Sequence, residues 1–172
     1  MSGTLTLVIG GAASGKSAFA EGLVMQTGLD KIYVATARVL DPEMEHKVTR
    51  HKEMRGAGWQ TIEAPLSPDA VLQAASSTEV VLLDCATMWL MNHLMEERDL
   101  SAARTELLDS LECCAADCVV VTNELGLGIV PADPLSRRFR QEQGELNQVL
   151  AAQADIVYNV VAGLPQLLKG SV

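Results

Sequence analysis

The stretch Thr4-Leu-Thr-Leu-Val-Ile9-Gly10-Gly-Ala-Ala-Ser-Gly15-Lys16-Ser17-Ala-Phe-Ala-Glu-Gly-Leu-Val-Met-Gln26 decides how this chain is read. Thr4 to Ile9 is an apolar, β-branched run and predicts a strand. Lys16 to Gln26 predicts a helix, ended by Gly28. Between them, Gly10 to Ser17 match G-x-x-x-x-G-K-[ST] at every fixed position, in the strand-to-helix setting the motif needs. Each residue type has a physical task. Glycines at 10, 11 and 15, with Ala12, Ala13 and Ser14, let the backbone curl so that its N–H groups point at a phosphate. The helix N-terminus adds positive potential. Lys16 is the cation for the β- and γ-phosphates, and the Ser17 hydroxyl is a ligand for Mg²⁺. The loop indicates a nucleoside triphosphate without saying what is done with it.

Outward from the loop, short β-rich runs alternate with helical ones. Strands are expected at Lys31–Ala35, Gln60–Glu63, Val80–Leu83, Cys118–Thr122 and, last, Ile156–Val161. Helices are expected from Asp41 to about Arg55 (stopped by Gly56-Ala-Gly58), from Asp69 to about Ala75, over Thr87–Glu97 and Ser101–Ala115, and from Pro134 to Ala152. Alternation with continuous apolar strands implies one α/β domain over residues 1–172, its mostly parallel sheet covered by helices on both faces.

Composition narrows the function classes. The 172 residues carry a net charge of −9 and are 48% hydrophobic. That excludes a disordered chain and argues against bulk binding to nucleic acid or anionic lipid. The N-terminus lacks the basic region of a signal peptide. The most apolar stretch, Val80 to Met95, is broken by Asp84, Asn92 and His93, so no membrane span is expected. Cys113, Cys114 and Cys118 are bunched, and Cys85 stands apart. This is a poor disulfide framework and implies a reducing, cytoplasmic setting. No zinc-ligand spacing accompanies the cluster, so core packing is its expected role.

Two further features bear on chemistry. Val80-Val-Leu-Leu-Asp84 ends a buried strand in a carboxylate, where a metal or nucleotide contact is expected; capping the next helix is the plainer alternative. On the predicted helix, Lys47, His51 and Arg55 fall on one face. Two cations favour a neutral imidazole and attract a triphosphate. That suits attack on phosphorus to give a covalent intermediate, but on the residues alone a solvated surface histidine is the more ordinary reading. His46 and His93 are expected to be structural, and Trp59 a core anchor.

Several blocks follow one another in a fixed order. They are the phosphate loop, His51-Lys-x-x-Arg55 with Trp59-x-Thr61-x-Glu63-x-Pro65, and Leu82-Leu-Asp84-Cys-x-Thr87-x-Trp89. Then come Val121-Thr-Asn123-Glu124-x-Gly126-x-Gly128-Ile-Val-Pro131, Arg138-Phe-Arg140, Gly144-x-x-Asn147-Gln148 and Gly163-x-Pro165. Across essentially the whole chain this resembles the bifunctional adenosylcobinamide kinase / adenosylcobinamide-phosphate guanylyltransferase family of cobalamin biosynthesis.

The resemblance implies two reactions. A nucleoside triphosphate, ATP or GTP, phosphorylates the corrinoid hydroxyl. GTP then guanylylates a histidine, which maps onto His51, and the GMP passes to adenosylcobinamide phosphate. Nucleotide contacts map onto Gly10 through Ser17, Ala35, Thr36, Ala37, Lys52, Glu53, Met54, Arg55, Glu63 and Asp84, with Ser17 and Asp84 on the Mg²⁺ side. A recombinase-core-like fold and a homotrimer are also implied, with the corrinoid and nucleotides as the only partners. Thr122-Asn123-Glu124 follows a buried strand and is expected to shape the acceptor side. Ala13 and Gly56 depart from the family pattern, which has Arg and Pro there. A plain small-molecule kinase is the main rival reading. A nucleic-acid-stimulated ATPase would need a basic tract that is missing, and a regulatory GTP-binding module would need no nucleophile.

Overall fold

A computed structural model describes residues 2–38 and 56–171. The helix expected from Asp41 to about Arg55 lies outside the described residues. In chain order the elements are β1 (Leu5–Gly10), α1 (Lys16–Thr27), β2 (Asp30–Ala35), β3 (Trp59–Glu63), α2 (Asp69–Ala74), β4 (Glu79–Asp84) and α3 (Ala86–Met95). They continue with α4 (Leu100–Cys113), β5 (Asp117–Asn123), α5 (Pro134–Gln153), β6 (Ile156–Val161) and β7 (Leu164–Lys169). The boundaries follow local chemistry. Gly15 and Gly28 bracket α1 in the left-handed region, at φ 89° and 69°. Asp99 caps α4 by accepting from the Ser101 and Ala102 N–H groups. Asp133 caps α5 through Ser136 N–H, with Pro134 following it.

The strands form one seven-stranded sheet in the order β3-β2-β4-β5-β1-β6-β7. The first six are parallel and β7 runs antiparallel to β6. Side chains sort by the two-residue period of a strand. Leu5, Leu7, Ile32, Val34, Val81, Leu83 and Val120 face one core, with Trp89, Leu107, Leu146 and Leu150 from α3, α4 and α5. Val8, Tyr33, Val80, Leu82, Val119 and Val121 face the other, with Ala20 and Val24 of α1. Both faces are thus covered, as a parallel sheet requires.

Two expectations change. Ile156–Val161 is not the last strand: β7 follows it through a tight turn at Ala162 and Gly163, both at positive φ (52° and 77°). Pro165 inside Leu164–Lys169 argues against a strand, and the sheet resolves this by placing β7 at the edge. The cysteines divide as well. Cys85, Cys114 and Cys118 are buried as expected, but Cys113 is exposed on the last turn of α4. Cys114 and Cys118 share a hydrogen bond that lowers the Cys114 thiol to about 7 and pushes Cys118 up. Trp59 packs edge-on to Tyr33, ring centres 6.2 Å apart, as a segment anchor. His93 is buried, with Nε2 3.0 Å from the Leu66 carbonyl.

Candidate nucleotide site

All the parallel strands point their carboxyl ends to one edge. Register pairs place Glu63 beside Ala35, Ala35 beside Asp84, Asp84 beside Val121, and Asn123 beside Gly10. One edge therefore carries, in spatial order, Glu63, Ala35, Asp84, Asn123 and Gly10. The chain reverses direction here. β1 leads through α1 to β2, two strands beyond β5, whereas β5 leads through α5 to β6 on the opposite flank. The crevice at such a switch point is where open α/β sheets hold ligands.

The phosphate loop occupies the exit of β1, an interior strand between β5 and β6. Ala13 takes a positive φ of 55° between its glycines. A Cβ on Gly10 would stand 2.4 Å from Ser14 Oγ and 2.7 Å from the Val160 carbonyl, so the loop closes only over glycine there. Gly163 N–H donates to the Ser14 carbonyl at 2.7 Å, so the β6–β7 turn braces the loop from outside. Lys16 is buried, and its ammonium donates to the Gly11 carbonyl at 3.0 Å. Burial lowers its pKa, opposed by the pull of Cys85 and Asp84. The cation is thus held across the loop, ready for an anion better than a carbonyl. Ser17 is the second residue of α1 and partly exposed.

Asp84 ends β4, where it accepts from Tyr33 Oη through Oδ2 at 2.8 Å. Burial, then the neighbouring Asp84 charge, push the Cys85 thiol up to about 11, so that sulfur stays neutral. Thr36 is fully buried, and its hydroxyl donates to the Cys85 carbonyl (2.7 Å) and accepts from the Cys85 N–H (2.8 Å). It ties the end of β2 to the end of β4, leaving Ala35 and Ala37 partly exposed beside it. Glu63 is exposed at the end of β3. His51, Lys52, Glu53, Met54 and Arg55 lie outside the described residues.

The third part is a buried polar network under the β5 exit. Thr122 Oγ1 donates to Asn147 Oδ1 at 2.7 Å and accepts from Gln143 Nε2 at 2.9 Å. Asn147 Nδ2 donates to the Asn123 carbonyl, and Asn123 N–H donates to Thr87 Oγ1. Glu124 N–H donates to the Gly10 carbonyl at 3.0 Å, locking this exit to the phosphate loop. Reading the residues alone did not assign Tyr33, Gln143 or the Gly163 contact to the site. Their partners are 51, 21 and 149 residues away, beyond any local pattern.

Whether these residues suit Mg²⁺ can be judged from the donor set. Among the described residues no group of three or more His, Cys, Asp or Glu gathers as a metal cage. One hydroxyl, Ser17, and one carboxylate, Asp84, on the phosphate edge suit an ion that keeps water and takes its other ligands from phosphates. The fit is that of a substrate-borne Mg²⁺.

Fold and edge together define a phosphate-loop α/β nucleotide-binding protein with the recombinase type of sheet. Solved structures agree on the fold. The RadB recombinase aligns with TM-score 0.51 at 18% identity, over 92% of this chain and 74% of that one. The protein of Project ID PH0250 from Pyrococcus horikoshii aligns with TM-score 0.60 at 10% identity, over 99% and 88%. Residues 6–168 match the family model described as cobinamide kinase / cobinamide phosphate guanyltransferase, and the chain belongs to that family. The bifunctional adenosylcobalamin biosynthesis protein CobP of Pseudomonas aeruginosa is 42% identical over 95% of this chain and 96% of its own. The corresponding CobU of Salmonella typhimurium is 37% identical over 96% and 99%. No helix among the described residues is long and apolar enough to cross a membrane.

Proposed function

We propose that this chain carries out both reactions of its family on a corrinoid acceptor. The supporting observation is the single carboxyl edge on which Glu63, Ala35, Asp84, Asn123 and Gly10 stand in a row. Four inter-strand steps separate Glu63 from the phosphate loop, about 19 Å at ordinary strand spacing. That span is on the scale of an extended nucleoside triphosphate. The phosphates belong at Gly10 through Ser17, and Glu63 belongs to the ribose or guanine end. Ala35 to Ala37 contribute along the way, and Lys52 to Arg55 are nucleotide contacts by family resemblance.

In the kinase step the acceptor hydroxyl oxygen bonds to the γ-phosphorus and the bond to the β-phosphate oxygen breaks, releasing the diphosphate. Lys16, freed from the Gly11 carbonyl, neutralises the charge that moves onto the β,γ-bridge. In the guanylyl step a ring nitrogen of His51 bonds to the α-phosphorus of GTP and pyrophosphate leaves. The acceptor's phosphate oxygen then displaces the imidazole, giving the GDP-linked corrinoid and free histidine. Splitting one exchange into two displacements is the ordinary benefit of a covalent intermediate. Mg²⁺ held by Ser17 and Asp84 with the phosphates would supply Lewis-acid neutralisation of phosphoryl charge. The family resemblance adds a homotrimer in the cytoplasm.

The test is incubation with Mg²⁺ and GTP labelled at the α- or the γ-phosphate, using wild type and His51→Ala. Protein label from the α-position only, acid-labile, alkali-stable and missing in the variant, is the expected result. Wild type that takes no α-label while still phosphorylating the corrinoid would leave a plain kinase.

A further inference from the structure

We infer that the loop between β5 and α5, with the groove beneath it, is the seat of the corrinoid acceptor; this rests on the function proposed above. The loop follows Asn123, the residue paired with Gly10, and is locked to the phosphate loop through Glu124 N–H. Its tip is apolar and bare. Leu127 is 91% exposed, Ile129 97% and Val130 65%. A soluble chain rarely holds such side chains together in water without a partner.

The tip is also fixed from below. Arg140 Nη2 donates to the Gly126 carbonyl at 2.5 Å, and Arg137 Nη1 to the carbonyls of Pro131 and Ala132. Gly126 N–H donates to Glu124 Oε1. The apolar residues are therefore presented by a shaped loop, as pre-organised binding surfaces are.

Under the loop, Arg137, Arg140, Gln141, Gly144 and Gln148 of α5 line a cavity of about 420 Å³. Its one carboxylate, Glu145, is turned to Gln141 and Arg104. Arg140 keeps Nη1 buried with no partner among the described residues. An apolar shelf beside an array of N–H donors matches one kind of ligand: a large flat macrocycle with apolar faces and a rim of amide carbonyls. A corrinoid is that ligand. Seated there, its hydroxyl arm is directed past Glu124 and Asn123 to the phosphate loop, where both transfers need it. The apolar edge of β7, with Leu164, Leu167 and Leu168 exposed, lies across β6 from β1, and its Lys169 ammonium is already given to the Ala151 and Ala152 carbonyls.

The probe is adenosylcobinamide, followed by equilibrium dialysis through its visible absorption, with wild type, the double variant Leu127→Ser/Ile129→Ser and the control Leu167→Ser/Leu168→Ser. GTP affinity and α-label uptake are measured on the same proteins. Losing two aliphatic contacts is expected to weaken corrinoid binding about tenfold or more in the loop variant. GTP affinity and labelling should hold, and the β7 control should bind corrinoid as wild type does. Leu127 and Ile129 are bare, so folding of the loop variant is not at stake. Wild-type corrinoid affinity in the loop variant overturns the inference. So does a loop variant that changes oligomeric state while keeping its corrinoid affinity, which would make the loop a contact between copies. Wild type that takes the label but binds no corrinoid removes the acceptor itself, and the site with it. Wild type that binds corrinoid at the loop but takes no label removes the covalent step and supports the site.

Discussion

The two edges of the sheet use the same residue type for opposite ends. At the amino edge, carboxylates are consumed in holding the chain. Asp117 Oδ1 accepts from Thr4 N–H and Asp155 Oδ2 from Leu5 N–H, both at 2.8 Å. Gly3 N–H reaches the Cys114 carbonyl, and Cys118 N–H the Thr4 carbonyl. At the carboxyl edge, Asp84 accepts a tyrosine hydroxyl at one oxygen, and Glu63 is exposed. One edge spends these carboxylates on fixing strand entrances, and on the function proposed above the other keeps Asp84 and Glu63 for a ligand. Stability and chemistry are therefore separable by edge.

The largest effect that tests this is Lys16→Ala. Removing the cation that meets the phosphates should reduce both transfers about 10²–10³-fold, in line with losing one preorganised charge-stabilising group. Its thermal midpoint should not fall, because the ammonium is held in a buried place that disfavours its charge. A melted Lys16→Ala protein would break the comparison. Next is Gly3→Ala at the other edge, whose Cβ would stand 2.1 Å from the Ala116 carbonyl oxygen. Urea titration should show a loss of about 1–3 kcal/mol, the usual cost of overpacking, with activity per folded molecule intact. Asp155→Ala should cost about 1 kcal/mol, or roughly 2–4 °C in thermal midpoint, again without touching turnover. The smallest effect sharpens the contrast, since Asp133 is a carboxyl-edge carboxylate used as a cap. Its bonds to Ser136 hold its pKa below the ordinary 3.8. The stabilisation is present above that value and is lost as pH falls through the lowered one. Asp133→Asn should flatten that part of the acid limb of the urea midpoint against pH.

The same division explains what could be read from the residues. Gly10 to Ser17 was legible because a phosphate cradle needs fixed types at fixed spacing. The strands were legible because burial on both faces leaves continuous apolar runs. The long helical run from Pro134 to Ala152 announced α5. Residues that act through distant partners were not legible in this way. Gln143 looks like one more polar helix residue until Thr122 is brought under it, and Tyr33 looks like core until Asp84 ends the next strand. β7 was hidden by Pro165, whose missing N–H matters only in a central strand. His51 owes its assigned role to family resemblance, since on the residues alone a solvated surface histidine is the more ordinary reading.

The phosphate loop is the most local motif in the chain, yet the frame around it is the least local. β1 lies between β5 and β6, and its tethers at Thr4 and Leu5 join residues 113 and 150 positions away. The brace at Ser14 comes from the β6–β7 turn. Contacts of such separation are late and slow to form. A chain that has folded everything up to α5 would carry the whole nucleotide signature with β1 still lacking a neighbour on one side. On the function proposed above, nucleotide affinity should therefore appear only once the final hairpin has docked on Ser14.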